Sequence, residues 1–148
     1  MVNNDTFLSD SILFVRDDLR ANITDPISTS RPTGEKFVMT SYPRRETSYP
    51  IITITSLNIT SKRVGQQSEK MFVTLSIEVR IWARTQKEKY NLFDSVDKQM
   101  RENQYGVGSS TKGELHDFKM NSAVDIDDPG EDGLRSKVIE YEYYFITT

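Results

Sequence analysis

Residues 71–100 read MFVTLSIEVRIWARTQKEKYNLFDSVDKQM, and the change of period inside them decides the fold class. From Met71 to Trp82 the chain alternates strictly, with Met71, Val73, Leu75, Ile77, Val79 and Ile81 on one side and Phe72, Thr74, Ser76, Glu78, Arg80 and Trp82 on the other. That period of two is the signature of a β-strand with one face in a core. After Trp82 the pattern becomes Thr85-x-x-Glu88, a capping box in which a hydroxyl and a carboxylate satisfy free backbone donors. Leu92, Phe93, Val96 and Met100 then recur at helical spacing. A strand therefore feeds a helix that starts at Thr85, whose charged residues are expected to face water, and the glycines at 106, 108 and 113 end it in a loop.

Upstream, Leu8, Ile12, Val15 and Leu19 line one face of a helix expected over Thr6 to Ile23, with Asp5 placed to cap it. Thr24 to Glu35 holds Pro26, Pro32 and Gly34 among Ser and Thr and reads as a loop. Lys36 to Ser41 reads as a short strand around Phe37, Val38 and Met39, and the Pro-bounded run Tyr42 to Pro50 displays Arg44 and Arg45. Ile51 to Ile59 is rich in β-branched residues, with Ile51, Leu57 and Ile59 on one face and Ile52 and Ile54 on the other, so both faces should be partly buried. Between that strand and the one at Met71 lies Ser61 to Lys70, the tip of an expected antiparallel hairpin. The tip carries Lys62 and Arg63 and is a candidate contact arm.

Downstream, His116, Phe118 and Met120 alternate with Asp117, Lys119 and Asn121 as a strand, and the acidic Gly/Pro segment Asp125 to Gly133 reads as a turn. Lys137 to Thr147 places Ile139, Tyr141, Tyr143 and Phe145 on one face and Glu140, Glu142 and Tyr144 on the other. The expected order is α-β-β-β-α-β-β: one α+β domain over residues 1–148, with a mostly antiparallel sheet of four to five strands and two helices packed on one face.

A chain of 148 residues with 36% hydrophobic and 28% charged content is long enough to bury one core and too mixed for disorder. A formal charge of -3 gives no general pull toward phosphate backbones, so free nucleic acid is not the expected ligand. Without cysteine there are no disulfides, thiolate metal sites or cysteine nucleophiles, which suits a cytosolic origin. No apolar run approaches the roughly 18–20 residues that span a bilayer, and the first ten residues lack the basic start and apolar centre of a secretory signal.

Catalytic equipment is not expected. His116 is the only histidine, without a second histidine or a nucleophile elbow beside it, and a half-buried strand residue accounts for it. The carboxylates between Asp125 and Asp132 resemble a calcium loop, but Pro129 stands where a ligand is needed, and a solvated acidic turn explains them. Neither cofactor nor metal is expected. Interface residues are: Arg44 and Arg45 suit a contact loop, and Phe72, Arg80 and Trp82 make the strand face opposite the apolar one an amphipathic mixture typical of subunit contacts. Cover by one of the protein's own helices is the alternative for that face.

The phrases Tyr49-Pro50-Ile51-Ile52-Thr53-Ile54 and Ile77-Glu78-Val79-Arg80-Ile81-Trp82-Ala83-Arg84, with the capped helix after them, carry a family resemblance. From Thr6 to Phe145 the chain resembles tail terminator and tail completion proteins of long-tailed viruses, whose plan is an amino-terminal helix, a Tyr-Pro-led strand, a long strand with a V-x-I-W run, a helix and final aromatic strands. The resemblance implies a virion protein, not an enzyme, assembled in the host cytoplasm. It implies a homo-oligomeric ring, commonly a hexamer, that caps the tail tube, stops its growth and docks on the head connector or a head completion protein. DNA would pass only transiently through the lumen, and no membrane is involved. A head completion or connector-joining neck protein is the related alternative, and a small ligand-binding or enzymatic α+β domain the unrelated one. Thr24 to Tyr49 and Asp125 to Gly133 depart from the minimal plan and are expected to be contact arms.

Overall fold

A computed structural model describes residues 6–43, 47–66, 69–104, 115–127 and 134–146, except for the side chains of Asn103, Gln104, His116 and Asp127. The order is α1 (Phe7–Asn22), β1 (Val38–Met39), β2 (Ile51–Arg63), β3 (Met71–Ala83), α2 (Gln86–Gln104), β4 (His116–Asp127) and β5 (Arg135–Ile146). This is the α+β arrangement expected, with a five-stranded sheet in the order β1-β2-β3-β5-β4.

The long strands pair antiparallel, and β1 lies parallel to β2, with Val38 opposite Ile52. β5 is wedged between β3 and β4. Because β4 opposes β5 and β5 opposes β3, β3 and β4 run in the same direction, and α2 is the crossover of a split β-α-β unit. The link is long enough for that, so the expectation from short links holds only for β2–β3 and β4–β5.

The odd-numbered face of β3 builds the core. Val73, Leu75, Ile77, Val79 and Ile81 join Ile139, Tyr141, Tyr143 and Phe145 from β5 beneath Val15 and Leu19 of α1 and Leu92, Val96 and Met100 of α2. Each aliphatic side chain so buried contributes about 1.5–3 kcal/mol. Both helices cover this one face. α1 starts one residue later than expected, with Thr6 at its cap, where the hydroxyl bonds the Asp10 carboxylate at 2.8 Å; Asp5 lies outside the described residues. Ser11, on the same face as the apolar stripe, is buried and accepts a 3.0 Å hydrogen bond from the Tyr143 hydroxyl.

At the start of α2 the capping box is only half as expected. The Thr85 hydroxyl accepts from the Glu88 N–H at 3.2 Å, but the Glu88 carboxylate reaches past Thr85 to the Arg84 N–H (3.1 Å) and to the Arg84 guanidinium (2.6 Å). Not all charges of α2 face water: Lys89 is fully buried and its ammonium pairs with Asp125 at 3.0 Å.

β2 departs most from its expected pattern. It runs four residues past Ile59, which shortens the hairpin tip to residues 64–70, closed by Val64 N–H donating to Lys70 at 3.1 Å. A bulge between Ser56 and Asn58 inserts Leu57 as an extra residue and resets the phase, so Ile59 faces Leu75 on the side of Ile52 and Ile54 rather than opposite them. Ile51 to Ile54 are all buried, while every residue from Thr55 to Arg63 is exposed, because neither helix reaches that half of the hairpin.

β4 is twice as long as expected. Asp125 to Asp127 continue the strand and pair with Lys137 to Arg135, while residues 128–133 lie outside the described part. Asp125 sits between the ammonium groups of Lys89 and Lys137 (3.0 and 3.2 Å), which hold its carboxyl below the usual range despite some burial. Two irregularities, between His116 and Lys119 and between Met120 and Ser122, break the simple alternation, with Asp117 at φ 56°. Phe118 is buried and stacks on Tyr143, whereas Met120 is exposed.

The loop after α1 is anchored by one buried arginine. Arg31 grips Asp25 through Nε (2.6 Å) and a terminal nitrogen (3.0 Å), donates to the Ser48 carbonyl at 2.7 Å and the Pro50 carbonyl at 2.5 Å, and lies over the Phe37 ring. Part of the segment expected to be a contact arm is thereby tied to the entry of β2.

Candidate interface on the open sheet face

No helix among the described residues packs on the even-numbered face of β3, and alternation brings four of the sequence-derived interface residues to it. Lys62 of β2 lies directly opposite Phe72 of β3, with its ammonium 5.5 Å from the ring centroid, and Phe72 stacks on Tyr144 at 4.6 Å. At the other end, Arg80 and Trp82 are neighbours on the same face, the guanidinium 3.9 Å from the indole centroid. Eight residues at about 3.3 Å each put the two clusters about 26 Å apart.

Trp82 is held from three sides. Its indole N–H donates to Thr53 at 3.3 Å, Arg80 covers one face, and Tyr42, from the loop before β2, packs at 4.9 Å. The expected alternative of helix cover is thus replaced by partial loop cover, and Trp82 stays half-buried. Arg80 donates to the Ser136 hydroxyl at 3.2 Å, and Ser136 in turn donates to the Ile126 carbonyl. The Arg80 Nε is buried with no hydrogen-bond partner among the described residues, so this guanidinium is rigidly placed yet incompletely satisfied.

Between the clusters the face is acidic. Glu78 and Glu140 stand directly opposite one another, and Glu142 lies one step along β5. Like charges so placed are unfavourable, by about 0.2–1 kcal/mol. Glu142 is relieved by Asn121 at 3.1 Å and Lys119 at 3.8 Å. The surface is therefore banded: cation and aromatic, acid, cation and aromatic.

The remaining residues fall elsewhere. Arg63 pairs with Met71 and points to the helix side of the sheet, beyond the reach of the helices. Arg44 and Arg45 lie outside the described residues, as does the acidic stretch after Asp127. His116 opens β4 opposite Tyr144. Tyr144 belongs to the face and was legible in the alternation of β5; Tyr42 and Ser136 had no comparable signal, because a loop aromatic and a lone serine carry no period.

A scan of protein-family models finds no match to the chain, and a search of curated proteins finds none either. No helix among the described residues is long and apolar enough to cross a membrane.

Proposed function

We propose that the chain is a structural subunit of a viral neck, of the tail terminator kind, that assembles into a ring, caps the tail tube and joins it to the head connector. The observation that carries this reading is the sheet itself: one face closed by both helices, the other left open with two aromatic–cation clusters and an acidic band. Aromatic and Arg side chains that are already ordered cost little further entropy on docking, which is why such residues dominate contact surfaces. Support also comes from the Tyr-Pro-led strand pairing directly with the strand that carries Trp82.

A ring of identical chains needs two different patches per subunit, so that each copy meets the next head to tail. The open face then serves the tail tube or the connector, and the flanks serve the ring. In this reading the protein works in the virion at the tail–neck junction, without cofactor or metal, and DNA passes through its lumen without being held.

Electron microscopy of the purified protein, alone and mixed with tail tubes, tests the proposal. Rings seated at one end of each tube are expected. A protein that stays monomeric at high concentration and does not bind tube ends would overturn it.

A further inference from the structure

Among the described residues the sheet ends in two uncovered edges of opposite charge, and we propose that they are the ring-forming contact: the outer edge of β2 on one copy pairs with the outer edge of β4 on the next. This rests on the ring reading above and names the surfaces it requires.

β1 protects only Ile52 and Thr53, so beyond Thr53 nothing among the described residues pairs with the outer side of β2. On the far side of the sheet, no strand among the described residues lies outside β4. A long bare edge offers a row of backbone donors and acceptors that proteins ordinarily blunt. Here the bulges do blunt part of each strand, yet regular stretches remain at Asn58–Arg63 and Ser122–Asp127, each about 20 Å long.

Three observations select a second copy of this chain as occupant. Lys62 and Arg63 lie in the first stretch, while the second carries Asp127 and Asp125, the latter already held by Lys89 and Lys137, and no cation of its own, so the two edges attract each other. Leu57 and Ile59 on one edge and Val124 and Ile126 on the other are each more than a third exposed, apolar surface that pairing would cover. Beside the bare edge of β2, a groove of about 540 Å³ lined by Leu8, Ile12 and Leu13 of α1 and by Ile54, Thr55 and Ser56 of β2 offers an incoming strand both apolar and hydroxyl groups. Because the two edges differ and lie at opposite ends of one sheet, the contact is head to tail and can close into a ring.

A charge exchange tests this. Lys62→Glu with Arg63→Glu reverses one edge at exposed positions; Ser122→Lys, also exposed, with Asp127→Lys reverses the other. Light scattering should find each variant at 17.1 kDa where the parent chain is a multiple of it, a loss of at least tenfold in self-association. The equimolar mixture, and the chain carrying all four changes, should recover the parent size. Circular dichroism melting confirms folding; should the first variant melt early, Arg63→Glu alone serves. Variants that assemble undiminished, or that fail to recover on mixing, overturn the edge contact and leave the ring reading standing. A parent chain that stays monomeric, even with tail tubes, overturns both.

Discussion

Replacing Arg31 by alanine should be the most damaging single change outside the apolar core. The side chain is 5% exposed and its partner Asp25 17% exposed, so water can replace little of what is lost. The substitution removes a two-point ion pair and the donors to the Ser48 and Pro50 carbonyls. It leaves the Asp25 carboxylate with the Ile27 N–H at 3.0 Å. Breaking a buried pair from one side costs about 3–5 kcal/mol, and the partial exposure of Asp25 argues for the lower end, about 3 kcal/mol. For a domain of this size that lowers the melting temperature by about 6–12 °C. Arg31→Lys keeps the charge but cannot span all three partners, and should lose about half as much. The pair also fixes the sign of the acid response. Burial pushes the Asp25 carboxyl up, but the hydrogen bonds from Arg31 and Ile27 and the Arg31 charge outweigh it and bring it below its ordinary value. Its contribution is therefore complete above about pH 4, the range of an unfolded carboxylate, and disappears as pH falls through the lower folded value. Urea unfolding followed by far-ultraviolet circular dichroism, from pH 7 to pH 2.5, measures both effects. A loss below about 1 kcal/mol, or an acid limb unchanged in Arg31→Ala, would refute the assignment of Arg31 as the anchor of the loop.

Lys89→Met should be neutral or slightly stabilising, since a buried ammonium is replaced by an apolar chain of similar length while Asp125 keeps Lys137; Lys89→Ala should cost about 2–4 kcal/mol through the cavity it leaves, and urea midpoints separate the two. Burial raises Tyr143 to about 12, and burial with the nearby Asp97 charge also raises Tyr141. Stability from these groups is complete below pH 10 and falls as pH rises past it, so Tyr141→Phe with Tyr143→Phe should flatten the alkaline limb of a melting-temperature profile. Trp82→Ala should lower the folding free energy by about 1–2 kcal/mol, as its loop and strand partners lose one side of their packing, and should weaken assembly by more. Comparing urea midpoints with light scattering decides whether Trp82 belongs chiefly to the fold or to the contact.

The parts of the fold that could be read from the chain are those where one period runs unbroken. Apolar residues fill every odd position of β3 from Met71 to Ile81, and the stripes Leu8–Leu19 and Leu92–Met100 repeat at helical spacing, so strand, helices and the core face followed from composition at fixed intervals. What escaped has no local signature. Leu57 looks like any strand residue, yet being one too many it turned Ile59 to the other face. Asp125 and Asp127 look like turn residues because carboxylates disfavour strands in isolation; two lysines that are distant in sequence make Asp125 acceptable there. Arg31 is one polar residue in a Pro/Ser/Thr loop, and its burial depends on the backbone carbonyls of Ser48 and Pro50. For the candidate interface, alternation placed Phe72, Arg80 and Trp82 together, but it could not distinguish a face covered by helices from one left open, nor locate Tyr42 over the indole.

The position of β5 has a consequence in time. The strand that comes last in chain order fills the gap between β3 and β4, so a nascent chain that has made α2 and β4 still has β3 bare on one side and β4 without a partner strand. Nothing before Arg135 can close the sheet. Its completion requires contacts between residues more than fifty positions apart, which makes folding slower than in a sheet built from successive hairpins. A chain interrupted before β5 would keep one of its long strands bare on its inner side, an invitation to aggregation rather than a partial fold. A chain built this way gains its shape only after synthesis has passed β5.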